Sequence, residues 1–368
     1  VFSPAPLPRN LEAAFRDLGS ERDAVRASAV RDVVRHATAD HALRARAVAA
    51  IERLLKGDAS AAVRSVAATA LADLGASEAL PALLVAVEDD HPDVRQMALS
   101  ALGEIGDVRA APRLERALRD DRPEVRYQAV IAYTRVYKDE PASVAAALGR
   151  ALDDEDDAIR YIAMRVAEEE LGASGGSEGD ARLTARAREL VEAKDEDTQG
   201  VAVVAGLYLA RVGDARGRQV VLDVVAERRA APALEDEQAC VELSGELDLR
   251  EAIPHLERRC WGRRRALRAL FSWGAGDGSS CAWHASIALA RMGHERARAQ
   301  ILEELGSWRR ETREAAVVAA GRARLVEART VLQRMQAEAG DGARSNKGKG
   351  GTVDAALVRE ALVRLAVD

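Results

Sequence analysis

Val63-Arg64-Ser65-Val66-Ala67-Ala68-Thr69-Ala70-Leu71-Ala72-Asp73-Leu74-Gly75 returns 31 residues later as Val94-Arg95-Gln96-Met97-Ala98-Leu99-Ser100-Ala101-Leu102-Gly103-Glu104-Ile105-Gly106. The same frame opens at Val25-Arg26, Val125-Arg126 and Ile159-Arg160. It continues more loosely at Val201, Glu235, Cys281, Thr312-Arg313 and Val358-Arg359, which makes ten candidate units. Inside one unit Val94, Met97, Ala98, Ala101, Leu102 and Ile105 fall on one stripe of a helix. Asp93 and Glu124 suit its N-terminus, as do Pro92 and Pro123. Gly75, Gly106, Gly213 and Gly293 end it. A second helix follows, with Pro81, Pro112 or Pro254 in its first turn and Leu83, Leu114 or Leu256 two residues on. A helix pair this short cannot bury its apolar face alone, so the pairs must stack.

The motif D-x-x-V-R-x-x-A-x-x-A-L-G, a turn, then A-x-P-x-L resembles the short HEAT repeats of bacterial proteins, the PBS-lyase HEAT-like type. The resemblance is strongest over 58–160, fair over 20–57 and 195–230, and weak after 233 except near 281–325. It implies an all-α solenoid of about ten helix-turn-helix repeats, with first helices on the convex face and second helices on the concave face. The domain plan is a Pro-containing lead-in (1–19), a solenoid (20–338) and a Gly-rich disordered loop (339–351). A C-terminal capping helix (352–368) completes it. Within the solenoid, 172–180 reads as a flexible loop and 233–280 as a divergent section. Its seventh unit has a long second helix from about Arg250 to Ser272.

Composition fits this architecture. The 368 residues are 48% hydrophobic but only 3% aromatic, and 76 are Ala. Ala67, Ala98, Ala129 and Ala163 recur where helices approach closely. The chain is too apolar for global disorder, and no apolar run is long enough to span a membrane. Three cysteines, Cys240, Cys260 and Cys281, form no disulfide framework. The start VFSPAPLPRN shows no secretory pattern, so a cytoplasmic protein is expected. Arg outnumbers Lys 49 to 5, a bias that looks like codon usage in a GC-rich bacterium rather than selected chemistry. Net charge is −6 overall, but −1 over 1–150, −12 over 151–250 and +7 over 251–368.

Arg26, Arg64, Arg95, Arg126, Arg160 and Arg313 share one frame position. They read as a structural ladder pairing with acids in the inter-helix turns, such as Asp107 or Asp214; the alternative is direct ligand contact. Asp153 to Asp157 reads as a solvated capping turn rather than a cation loop, because spaced ligands, a mid-loop Gly and a terminal Glu are missing. All four Trp lie at 261–308. Cys281 and His284 share one helix face and, with Cys260, Cys240 or His255, make a zinc site conceivable. No close Cys pair supports it, and no metal or other cofactor is expected. The strongest anomaly is Arg258-Arg259-Cys260-Trp261-Gly262-Arg263-Arg264-Arg265-Ala266-Leu267-Arg268. With Arg113 and Arg116 on another second helix, these arginines and Trp261 are the candidate partner-binding residues; the alternatives for the stretch are a solvated helix face or pairing with the acidic 151–250 segment of the same chain.

Enzyme motifs fail on inspection. Gly342 to Lys349 has the wrong spacing and no Ser/Thr for a phosphate loop, and no strand precedes it. One His-Glu dipeptide, His294-Glu295, is too few for the iron site of deoxyhypusine hydroxylases, which use similar repeats. No catalytic constellation stands out. The expected function is a non-catalytic scaffold gripping a protein partner with an acidic segment. Similar repeats in phycobilin lyase subunits and in DNA glycosylases supply two alternatives: a lyase subunit, or nucleic-acid binding through the basic C-terminal third. Nucleic acid is the weaker expectation because the chain is acidic overall and the basic stretch is short.

Overall fold

The computed structural model describes residues 9–171, 181–193, 199–262, 279–341 and 353–366. Among them are twenty α-helices and no strand, and no helix is long and apolar enough to cross a membrane. The fold is an all-α solenoid of stacked helix pairs. It divides into two compact units: Val1–Leu190 with Asp195–Val201, and Val191–Lys194 with Ala202–Asp368.

Unit 1 begins with α1 (Leu11–Asp17), capped by Asn10, whose side chain accepts from the Ala13 amide. First helices α2 (Asp23–Ala39), α4 (Ala61–Asp73), α6 (Pro92–Ile105), α8 (Pro123–Val136) and α10 (Asp157–Val166) follow. They alternate with second helices α3 (Arg44–Gly57), α5 (Leu80–Ala86), α7 (Ala111–Ala117), α9 (Pro141–Ala151) and α11 (Ala181–Glu192). Pro in the first turn of α5 to α9 costs no hydrogen bond, since those amides have no partner within the helix. Gly75 and Gly106 end α4 and α6 at positive φ, as the repeat frame requires. The core is Val, Leu and Ala: Val63, Leu71, Val94, Leu102, Leu114 and Val125 are fully buried.

The two layers of unit 1 differ in spacing. First helices α2, α4, α6 and α8 pack directly on one another. At Gly103 of α6 the approach is so close that a β-carbon would lie 2.9 Å from the Ala132 Cα of α8. Second helices α5 and α7, and likewise α7 and α9, barely touch. The first helices of unit 1 are thus its closely packed layer and the second helices from α5 to α9 its more widely spaced one. Ala and Gly on the first helices set the difference.

Unit 2 takes most of α12 (Gln199–Arg211), then α13 (Ala215–Val225), α14 (Leu234–Glu246), α15 (Ile253–Trp261) and α16 (Ser279–Arg291). It ends with α17 (Glu295–Glu304), α18 (Arg310–Arg322), α19 (Arg329–Asp341) and α20 (Ala355–Arg364). Gly217 of α13 sits against the α12 backbone, where a β-carbon would meet the Ala210 nitrogen at 2.2 Å. Gly245 and Gly321 repeat the Gly103 contact, against Ala288 and Ala361.

The helix expected over 250–272 is not continuous: it is broken at Gly262, and 263–272 lie outside the described residues. A 3₁₀ turn at Arg250–Ala252 precedes α15, which stops at Trp261 because Gly262 turns to extended backbone, ψ 150°. Helix α19 runs to Asp341, beyond the expected boundary at 338. The loop expected over 172–180, and 342–351 of the Gly-rich loop, lie outside the described residues.

Candidate functional site

The frame arginines are the fourth residues of their helices. Arg26 Nε and Nη2 donate to the two Asp58 carboxylate oxygens, each at 2.7 Å. Arg64 grips Asp89 in the same way at 2.8 Å, and Arg126 grips Asp154 at 2.8 and 2.9 Å. Arg95 Nη2 reaches both Asp120 (2.7 Å) and Asp121 (2.8 Å). Each aspartate lies in the loop before the next first helix. Its own backbone carbonyl accepts from that next helix's arginine: Asp58 from Arg64, Asp89 from Arg95, Asp120 from Arg126 and Asp154 from Arg160. The rungs are thus linked into one chain of charge-assisted bonds.

The partners are not Asp107 or Asp214. Asp107 caps its own turn and pairs with Arg109, and Asp214 caps α13. Arg26 holds the Asp58 carboxyl below the usual range despite burial. At Asp89, Asp120 and Asp154 burial opposes ionisation most strongly. The bonds from Arg64, Arg95 and Arg126 and from the turn amides outweigh it, so these groups are also more acidic than usual. Arg160 pairs with Asp157 on its own helix, and Arg313 donates to the Ser307 carbonyl at 2.7 Å.

The acidic run 153–157 is divided among structural tasks. Asp154 is a rung, Asp156 caps α10, Asp157 pairs with Arg160, and Asp153 meets Arg182 and Arg186.

The spread second helices leave two adjoining grooves in unit 1. The larger, about 660 Å³, lies between α7 and α9, with Val130, Ile159 and the Arg126–Asp154 pair among its lining residues. The smaller, about 380 Å³, lies between α7 and the loop after α5. Arg116 and Arg119 line both. Arg113 and Arg116 converge on Glu88. Arg150 lines the larger groove. It is the counterpart of Arg116 one repeat later, a signal present in the sequence frame and missed there, as was Arg119.

Of the unit 2 candidates, the three that are described, Arg258, Arg259 and Trp261, take separate roles. Arg258 is exposed, beside His255 at 3.2 Å. Arg259 turns inward: it donates to the Val225 carbonyl at the end of α13 and pairs with Glu237. Trp261 donates to Gln300 at 3.2 Å. Its ring stacks on His294, with Arg296 over it at 4.2 Å. Arg263, Arg264, Arg265 and Arg268 lie outside the described residues.

The conceivable zinc ligands also stay apart in role. Cys240 and Cys260 are buried, Cys260 Sγ lies 3.4 Å from the Ala282 carbonyl, and His284 Nδ1 faces Glu242. Burial, with Glu237 nearby, pushes the Cys281 thiol up to about 11, the opposite of a reactive thiolate. Among the described residues no group of three His, Cys, Asp or Glu is placed to hold a metal.

The sequence from 48 to 134, which spans the most regular rungs and both walls of the smaller groove, matches the family model for HEAT repeats. Residues 48–134 are HEAT repeats. No curated protein sequence is significantly similar to the chain. Among solved structures, an engineered protein is 18% identical with a TM-score of 0.41, over 96% of this chain and 98% of its own. The complex of CpcE and CpcF of phycocyanin lyase from Nostoc sp. PCC7120 is 19% identical with a TM-score of 0.40, over 69% of this chain and 94% of its own. A second engineered protein is 21% identical with a TM-score of 0.38, over 55% of this chain and 97% of its own.

Proposed function

We propose that the chain is a non-catalytic scaffold that receives a protein segment across the second helices of its first unit. The separation of α5, α7 and α9 carries this reading. It opens two grooves side by side on a face that also presents Val85, 69% exposed. HEAT repeats stacked in this way offer extended surfaces suited to long partners. The larger groove mixes apolar residues such as Val130, Ala147 and Ile159 with charged ones, and the smaller is lined almost wholly by charged side chains, which suits a polar partner segment. The ladder lies at their base, where it holds neighbouring repeats in register.

A photo-crosslinking benzoylphenylalanine placed at Val85, and separately at Glu104 on the first-helix layer, tests the reading in the protein's native cells. A discrete cross-linked protein is expected from position 85 and none from position 104. Labelling from neither position, or only from 104, would overturn it.

A further inference from the structure

We propose that Arg119 and Arg150 are a carboxylate-binding pair in the groove between α7 and α9, each taking one acidic side chain of an extended acidic segment in a partner protein. This rests on the scaffold reading and names the chemistry of the segment. Most guanidinium groups around the grooves are already engaged. Arg113 and Arg116 share Glu88, Arg95 holds Asp120 and Asp121, and Arg126 holds Asp154. Arg119 and Arg150 are exposed, and neither side chain makes a hydrogen bond or ion pair among the described residues.

The charged residues lining the larger groove are Arg116, Arg119, Arg126 and Arg150 against Glu115 and Asp154, an excess of two positive charges. That excess equals the two unengaged arginines. Tyr133 donates to Glu115 at 3.5 Å, so Glu115 has a partner of its own. A guanidinium with no partner is ready to form the forked bond with a carboxylate.

Two features favour a protein segment over a compact anion or a nucleic acid. Arg116 and Arg119 also line the second groove, so the surface continues across α7 and suits an extended chain. Exposed acids stand close by: Glu88 and Asp90 line the second groove, and Asp121 and Glu155 flank the rungs at Arg95 and Arg126. A continuous phosphate backbone would meet these charges, whereas a segment with spaced acidic residues can place carboxylates at the two arginines alone.

The test is fluorescence anisotropy of a labelled twelve-residue peptide of alternating Glu and Ser at low ionic strength, against the full chain. The Arg119→Gln/Arg150→Gln double variant is expected to bind at least about tenfold more weakly, the loss of two charge-assisted bonds. Arg53→Gln, an exposed arginine on α3, should stay within about twofold, as expected for a distant site. Because Arg119 and Arg150 are exposed and unengaged, the double variant should melt with the parent chain. Equal binding by the double variant, or by a Gln-for-Glu peptide, would overturn the proposal. So would a single-stranded oligonucleotide that binds more tightly than the peptide and loses affinity in the same variant. Failure of the acidic peptide while position 85 still cross-links a protein would sink the acidic chemistry and leave the scaffold reading standing.

Discussion

In unit 1 the fourth residue of α2, α4, α6 and α8 is an arginine, and an aspartate in the loop ahead of the next first helix receives it. In unit 2 the fourth residues of α14, α16 and α18 are Glu237, Ala282 and Arg313. The loop residue six positions before Arg313 is Ser307. Arginine and aspartate are lost together there: the first helix before that loop, α16, offers Ala282, and the loop holds no carboxylate at that place. Ser20, which precedes Arg26 by the same six residues, shows the same relation at the start of the array. Both serine hydroxyls accept a turn bond from the amide two residues on, at 3.3 Å, just as the aspartates do. The local turn needs only a short oxygen-bearing side chain. The aspartate is therefore present for the previous repeat's arginine, and the rung is an inter-repeat device. Unit 2 solves the contact differently at Glu237, taking its cation from Arg259 on a second helix.

This contrast predicts which unit opens first in acid, the largest effect expected. In unit 1 Asp17, Asp32, Asp58, Glu78, Asp89, Asp107, Asp120 and Asp154 are all more acidic than usual, Asp107 at about 2 because of Arg109 and its amide. In unit 2 only Glu242 and Glu314 are so shifted among the described residues. A carboxylate more acidic when folded than when unfolded contributes its full stability above the unfolded value, about pH 4, and loses it as pH falls through the folded value. Hydrogen exchange read segment by segment as pH falls below about 4 should show α4 to α8 losing protection before α14 to α18. Simultaneous loss, or unit 2 first, would mean that the rungs do not govern acid stability.

A single rung gives the next largest effect. Arg126 and Asp154 are each about a tenth exposed. Arg126→Ala leaves a desolvated carboxylate behind and should cost about 3 kcal/mol in thermal or denaturant unfolding. Arg250→Ala removes an open pair in unit 2, with Arg250 67% and Asp248 57% exposed, and should cost less than about 0.5 kcal/mol. Similar costs for the two would put the ladder among ordinary surface pairs.

Much of this was legible because repetition makes a weak local signal strong. Pro92, Pro123, Gly75 and Gly106 mean little singly, but the frame gives each a helix end, and the helices end there. The ladder arginines were visible for the same reason. Their partners were not, because Asp58, Asp89, Asp120 and Asp154 lie 25 to 32 residues ahead, beyond a second helix of variable length. The spreading of the second helices was also hidden. It follows from Gly103 and Ala132 closing the other layer, a contact between residues that look like generic helix formers. In the Arg-rich stretch the count of arginines suggested one binding helix. Gly262 ends that helix, and Arg259 is spent on the end of α13.

The smallest effect concerns the residue after the first helix. At this frame position Gly75 and Gly106 of unit 1 and Gly213 and Gly293 of unit 2 take φ of 57°, 70°, 86° and 83°, while unit 2 also places Asp248 at 50° and Arg324 at 53°. The backbone conformation is thus kept where glycine is not, because the last turn still closes: the Leu325 amide donates to the Ala320 carbonyl at 3.0 Å, as the Ala76 amide does to Leu71 at 2.9 Å. A side chain in the left-handed region costs about 1 kcal/mol relative to glycine. Arg324 is exposed, and its position in the frame is otherwise a glycine's. Arg324→Gly should therefore stabilise unit 2 by up to about 1 kcal/mol, offset in part by the greater entropy of the unfolded chain. Gly106→Arg should cost unit 1 a similar amount. Opposite signs in the two units would show that their helix ends obey one rule even where their ladders do not; a loss in both would mean that the Arg324 side chain contributes more than its backbone strain removes.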